Sequence, residues 1–476
     1  MKPCPFDHIR RVTLSRWALR GQRDFRGGVS TDSRSLGEGD LFIAIRGATF
    51  DGNAFVIQAV SAGASGVIVD QPLEPAVLAQ LAQTSATVMQ ADNSIRALNR
   101  LAAAYRREMR SKVIAVGGSN GKTTTKQIIH TLLKQKYSGI ASAKSFNNNI
   151  GLPLTLLAAE PSHDYVVLEV GTNAPGEVAA LGATASPDIT VITSVGLEHL
   201  EKLGDLQSVA AEEASLARFT SNDGMLFFNK ADPELLSALR LGKMPRVTVG
   251  PAGSEADIEV TQWRQDISGL NFTLNGRADF YLPLLGSHNV FNAALAIGVA
   301  RRMGLSEAEI QAGLALVRPS PMRLEPQTVG SHWVLNDAYN SNPTSAAMAL
   351  QTFAELEPPM VNGRRPRRVV VLADMLELGA GSAEHHVRLG ELVAELKFDV
   401  LVTIGPLAHW AAEPAGRGGV KTFEFADVSG ALENQSRWLG TGEAILLKGS
   451  RAMRLETLLS GKSAGTVKSA PLAGHA

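Results

Sequence analysis

The sequence predicts an α/β protein of three domains: a small mixed α/β N-terminal domain (residues 1–108), a central P-loop ATPase-like parallel sheet (109–320) and a C-terminal Rossmann-like parallel sheet (321–460). Three observations lead there. The chain has 476 residues, enough for about three domains at ~150 residues each. Its apolar runs, among them KVIAV, YVVLEV, ITVITSV, RVVVLADM and AILLKGS, are unbroken rather than alternating, as in strands covered on both faces. Helical patterns separate them, the arrangement that builds parallel sheets.

Composition narrows the class. Apolar residues make up 45% and charged residues 19%, as in a soluble globular protein. Basic and acidic residues number 46 each, and a formal net charge of zero gives no reason to expect a nucleic-acid partner. The one cysteine, Cys4, excludes an internal disulfide and a Cys-rich metal site; near a terminus expected to fray, it reads as incidental. No apolar run approaches 18 residues and the N-terminus lacks a signal-like core, so no membrane partner and a cytoplasmic location are expected.

Taken in order, residues 30–70 hold strand-like runs, DLFIAI and GASGVIVD, around the turn-rich GATFDGN. IRALNRLAAAYRREMR reads as a helix with one apolar face. Next come the strand KVIAV, the loop GGSNGKTTT and the helix KQIIHTLLKQKY, whose Ile128, Ile129, Leu132 and Leu133 share a face. Tyr165–Val170 and Ile189–Val195 read as buried strands, and Glu357 to Arg368, basic and Pro-containing, as a surface loop. RVVVLADM, VLVTIG and AILLKGS then give three more parallel strands, and the small, polar residues 461–476 are expected to be disordered.

Parallel sheets bind ligands beyond the carboxyl ends of their strands, and Gly118–Thr124, Glu169, His199, Asp374 and Lys448 all fall there. The most specific is Gly118-Ser119-Asn120-Gly121-Lys122-Thr123-Thr124, between a strand and a helix. Glycines let successive N–H groups turn toward phosphate oxygens, and a helix N-terminus adds positive charge. Lys122 would reach the β and γ phosphates of ATP and the Thr123 hydroxyl would ligate Mg²⁺. Val116 stands where the full pattern has glycine, so the loop is a shortened variant.

This loop resembles that of the Mur ligases, ATP-dependent amide-forming enzymes of peptidoglycan precursor synthesis, and the same order of motifs continues from about Thr31 to Leu459. The resemblance implies that Glu169 holds Mg²⁺ near the γ-phosphate and that His199, in GLEHLEKLG, holds a second ion. It sets Asn289 and Asn292 near adenine, Arg323 and Asp337 on the nucleotide, and Asn340 and Asn342 on the substrate side of a closed site. Lys448 resembles a further motif residue of the third domain. One departure stands out. Relatives carry a lysine fourteen positions after the histidine, and its carbamate ligates the second ion; here that position is Glu213. Its carboxylate suits a hard cation and is expected to substitute as a direct or water-mediated ligand, with Glu212 the neighbouring candidate and an exposed helix glutamate the alternative. The implied catalytic set is Lys122, Glu169, His199 and Glu213, with Thr123 joining the last three as metal ligands for two ions.

On the substrate side, TDSR with GDLFIAIRG and FDGN resembles the family's UDP-binding domain and makes Ser33 and Arg34 UDP-sugar contacts, although Asn53 replaces a more usual histidine. NNNIGLP resembles the loop between nucleotide and UDP-sugar, which brings in Asn147 and Asn148. DAYNSNP, ADMLELG and KGSRAMRLE, with Asp374 and His386, resemble the branch that adds D-alanyl-D-alanine, although Ala373 replaces a glycine. The resemblance therefore implies a monomer that joins D-alanyl-D-alanine to UDP-N-acetylmuramoyl-tripeptide through an acyl phosphate. A sibling ligase, a folylpolyglutamate synthase and a catalytically weak ATP-binding scaffold remain the alternatives.

Overall fold

In a computed structural model the described residues are 1–459 except 48, 49, 144, 241 and 362; the tail expected at 461–476 lies outside them. Strands form where the chain runs apolar, and they fall into two compact units. Among the described residues, one comprises Met1–Ser194, Ala210–Val249 and Leu295–Gly313; the other comprises Val195–Val209, Gly250–Ala294 and residues 314–459.

The first unit holds two sheets. Five short strands order as Arg16–Leu19, Thr87–Gln90, Gly66–Val69, Leu41–Ile43 and Val29–Ser30, antiparallel only at the first pair. The helix Ser94–Glu108 follows, its N-terminus capped by Asn93, whose Oδ1 accepts from Arg96 N at 2.9 Å. Its apolar face (Ala97, Leu98, Leu101, Ala102, Tyr105) belongs to one core with Leu41 and Ile43 of the first sheet and Val113 and Leu168 of the next. The second sheet is parallel, in the order Arg246–Pro251, Met225–Asn229, Ile189–Ile192, Lys112–Gly117, Tyr165–Glu169 and Gly139–Ala141. The N-terminus is not frayed: the Met1 ammonium donates to the carbonyls of Gly27 (2.7 Å) and Leu157, and Cys4 packs against the core.

The second unit contains an antiparallel meander, Ile258–Asp266, Gly269–Leu274 and Ala278–Leu282, in a stretch where the sequence predicts no element. Its strands alternate buried with exposed residues, so they lack the unbroken apolar run that marks a strand covered twice. A six-stranded sheet orders as Glu325–Val329, His332–Asp337, Ala444–Lys448, Arg368–Ala373, Val400–Ile404 and Lys421–Phe425, parallel after the first pair. Arg368, where the expected loop and the expected strand RVVVLADM overlap, opens a buried strand. Its guanidinium donates to the carbonyls of Ala354 and Leu356, the latter at 2.6 Å.

Phe353 anchors this sheet's core, fully buried, with its ring centroid 6.2 Å from Trp333 and 5.5 Å from Phe398. Phe353→Ala is expected to cost about 3–5 kcal/mol of stability, read as a lower denaturation midpoint.

Candidate active site

In the first unit the phosphate loop begins where the buried strand Lys112–Gly117 ends, and the helix Lys122–Leu133 opens from it. Gly118 and Gly121 take φ of 115° and 85°, a left-handed backbone that favours glycine. A Cβ at Gly118 would lie 2.3 Å from Thr193 Oγ1, so glycine is also a packing requirement there. The neighbouring strand end secures the loop: Ser119 N donates to Ser194 O at 2.6 Å, and the Thr193 hydroxyl lies 2.5 Å from Asn120 O. The Lys122 ammonium folds over the loop onto the carbonyls of Gly118 and Ser119, the latter at 3.0 Å. The next side chain, Thr123, is buried with no hydrogen-bond partner for its hydroxyl among the described residues.

Glu213 lies under this loop. It is fully buried, which removes the reading of an exposed helix glutamate, and its Oε2 accepts from Gly118 N at 2.6 Å. Its Oε1 is buried without a partner among the described residues. Burial pushes its carboxyl pKa up, opposed by the Lys122 charge and the Gly118 N–H. Glu212 turns away and accepts from Gly176 N (2.9 Å) and Val178 N (2.8 Å) at the start of the helix Glu177–Ala185, so it is a structural cap.

Glu169 ends its strand almost fully buried, with both carboxylate oxygens engaged: Oε1 accepts from Asn147 Nδ2 at 3.2 Å and Oε2 from Lys126 Nζ at 3.0 Å. Lys126, in the sequence alone an ordinary helix residue, is the functional candidate that sequence reasoning missed. Asn148 instead closes the turn that leads into the helix Gly151–Leu157, its Oδ1 accepting from Ile150 N and Gly151 N. Arg34 is exposed and forms a two-point contact with Asp32 at 2.9 and 2.8 Å, which holds the Asp32 carboxyl down to about 2. Ser33 lies in the same turn, half-buried.

In the second unit, His199 carries φ 51° and its Nδ1 is 2.6 Å from Glu377 Oε2. These two line a cavity of about 240 Å³ with Glu198, Asn340, Asn342 and Arg451. Lys448 is nearly fully buried; its Nζ lies 2.7 Å from Asp337 Oδ2 and donates to Asn340 O at 2.8 Å, while Asp337 Oδ1 accepts from Leu324 N at 3.0 Å. The Arg323 guanidinium sits 4.2 Å over the Tyr339 ring. Asn342 caps the helix Pro343–Glu355 in a reciprocal box with Ser345. Asn289 and Asn292 are buried and joined, Asn292 Nδ2 donating to Asn289 Oδ1 at 2.8 Å and Asn289 Nδ2 to Leu285 O at 2.7 Å. Asp374 and His386 resolve as structural groups: Asp374 Oδ1 accepts from Leu407 N and Ala408 N, and His386 Nε2 accepts from Met375 N at 3.0 Å.

The residues fit a magnesium ion that is completed by its substrate. Among the described residues no three His, Cys, Asp or Glu side chains form a ready-made cage. Mg²⁺ rarely uses one; it takes one or two carboxylates, with phosphate oxygens and waters filling the octahedron. Two orphaned buried oxygens, Thr123 Oγ1 and Glu213 Oε1, are the hard donors such an ion requires.

Matches to known families cover this frame in three consecutive stretches: the catalytic domain of the Mur ligase family over residues 27–106, the Mur ligase middle domain over 116–300, and the Mur ligase glutamate ligase domain over 322–451. The UDP-N-acetylmuramoyl-tripeptide–D-alanyl-D-alanine ligase of Bacillus subtilis is 35% identical over 442 residues, covering 91% of this chain and 92% of its own. The Escherichia coli enzyme of the same name is 31% identical over 438 residues, covering 90% and 92%. A MurF crystal structure from Acinetobacter baumannii superposes with a TM-score of 0.84 at 27% identity, over 97% of this chain and 98% of that one. MurF ligase from Thermotoga maritima, in complex with ADP, gives 0.77 at 24% identity over 91% and 96%, a likeness of fold.

Two histidines give the protein an acid limit. Burial pushes His130 and His288 down to about 4 from an ordinary 6.5. The unfolded chain takes protons that these folded sites refuse, so stability falls as pH drops from about 6.5 toward 4. The melting temperature should decline over that window at constant ionic strength, and His288→Gln should flatten the decline.

Proposed function

The chain belongs to the Mur ligase family, and from that premise we propose that it joins D-alanyl-D-alanine to UDP-N-acetylmuramoyl-tripeptide, using ATP and releasing ADP and phosphate, in peptidoglycan precursor synthesis. The observation that carries this reading is alignment with ligases of that name along nine tenths of both chains. The phosphate loop supplies its physical basis.

The chemical difficulty is the meeting of two anions, the tripeptide's terminal carboxylate and the γ-phosphate. Attack of the carboxylate oxygen on phosphorus breaks the bond to ADP and leaves an acyl phosphate. The dipeptide amine then attacks the acyl carbon, the C–O bond to phosphate breaks, and the amine loses a proton. Lys122 and the helix N-terminus offset the repulsion and hold the phosphates in line. Thr123 and Glu169 would hold one Mg²⁺, and Glu213 would serve a second; bound there, the ions would neutralise charge gathering on the transferred phosphoryl group. Glu213 serves twice in this reading, its Oε2 fixing the loop through Gly118 N and its Oε1 facing the ion. Asp337, held by Lys448, and Arg323 contact the nucleotide beside Asn289 and Asn292. Ser33, Arg34 and Asn147 meet the UDP-sugar side. No helix among the described residues is long and apolar enough to cross a membrane, and the reading is of a cytoplasmic monomer.

Purified protein with Mg·ATP, UDP-N-acetylmuramoyl-tripeptide and D-alanyl-D-alanine should yield the pentapeptide by mass and release phosphate only when both acceptors are present. Glutamate, lysine or diaminopimelate replacing the dipeptide with equal efficiency would move the chain to a sibling activity. Glu213→Gln should raise the Mg²⁺ concentration for half-maximal turnover by about 10–100-fold, the range for groups that support a metal; an unchanged Mg²⁺ titration removes Glu213 from the metal site.

A further inference from the structure

Lys126 follows Lys122 by one helical turn, and its side chain is 5% exposed against 1% for Glu169, its partner at 3.0 Å. The other oxygen of that carboxylate is held by Asn147 at 3.2 Å, and the Glu169 backbone N donates to Ser142 Oγ at 3.2 Å, so both carboxylate oxygens and the main chain beneath them are engaged. A buried ion pair of this kind adds little net stability, because desolvating two charges consumes most of their attraction and an apolar pair would serve as well. The pair also stands at the carboxyl end of a parallel strand, beside the strand that feeds the phosphate loop, where ligands of such sheets bind. A cation that takes an oxygen of Glu169 must displace or crowd the ammonium already on it.

Resting on the metal assignment above, we propose that Lys126 is an exchangeable countercation for Glu169. It neutralises the carboxylate before nucleotide arrives and gives up Oε2 when a divalent ion comes in with the phosphates. Lys126 is thus a positioning residue that suppresses loading of the free ion and couples metal binding to nucleotide binding. The phosphates make that exchange favourable, since their charge can take over the ammonium's partner role one turn from Lys122.

The test is direct binding of Mn²⁺, followed by the loss of its free-ion electron paramagnetic resonance signal, with and without a non-hydrolysable ATP analogue. The wild-type chain should bind the bare ion weakly and bind it more tightly with the analogue. Lys126→Met should tighten binding of the bare ion by about tenfold or more, the scale of removing one adjacent like charge, and shrink the gain from the analogue. Lys126→Arg, which keeps the charge, should behave as wild type. Unchanged or weaker bare-ion binding in Lys126→Met overturns the proposal. If that variant does not fold by circular dichroism, Lys126→Gln takes its place, and collapse of both makes Lys126 a purely structural cation, which also overturns it. A wild-type chain that binds no Mn²⁺ even with the analogue instead removes the metal assignment itself.

Discussion

Buried charge at the carboxyl ends of parallel strands is the constraint on which this protein's site depends. Glu169, Glu213, Asp374 and Lys448 are each less than 4% exposed, and each would be prohibitively costly to bury without partners. The fold supplies those partners in two ways. Asp374 Oδ1 is a closed case, taken by two backbone amides of one turn. Glu213 is an open one: one oxygen is taken by Gly118 N, and the other is buried and unmet among the described residues. A buried oxygen left unmet points to a missing partner, whereas one that already accepts two amides does not.

The same distinction sorts the asparagines. Asn148 and Asn342 stand in motifs that resemble substrate-handling loops, yet the first closes the turn into the helix Gly151–Leu157 and the second caps the helix Pro343–Glu355. Those side chains are therefore committed to setting where the helices start. Asn147 is different, since its amide reaches the carboxylate of Glu169. Adjacent residues of one sequence motif thus divide between scaffold and site.

The central strands, the loop and the three C-terminal strands were legible because burial on both faces demands unbroken apolar runs, and because a positive φ at Gly118 and Gly121 restricts what can stand there. The meander at Ile258–Leu282 was not, because one face of each strand meets solvent and the pattern weakens. Lys126 was hidden for another reason: on a helix it looks like any surface lysine, and its meaning comes from a carboxylate 43 residues later. Arg368 closed a basic run that reads as a loop, and only the carbonyls of Ala354 and Leu356 reveal it as buried. Periodicity reports which way a side chain faces; it does not report which distant charge it meets.

At Glu213 a short side chain stands where the family resemblance implies a long one, and the backbone has to make up the difference. A carboxylate has little reach, so the helix carrying it must bring it against the loop, and the structure does so at 2.6 Å from Gly118 N. At Gly117 an added Cβ would lie 2.9 Å from Leu216 and 3.2 Å from Glu213 itself, so loop and helix fit with no slack. One consequence is mechanical. The amide of Gly118 is committed to Glu213 and not to phosphate, so whatever binds the carboxylate's other oxygen also bears on the position of the loop's first glycine. Lys122 grips the carbonyl of that same residue. Loop, helix and ammonium therefore form one unit, in which the loop's amides and the unmet oxygen of Glu213 are set by the same few contacts.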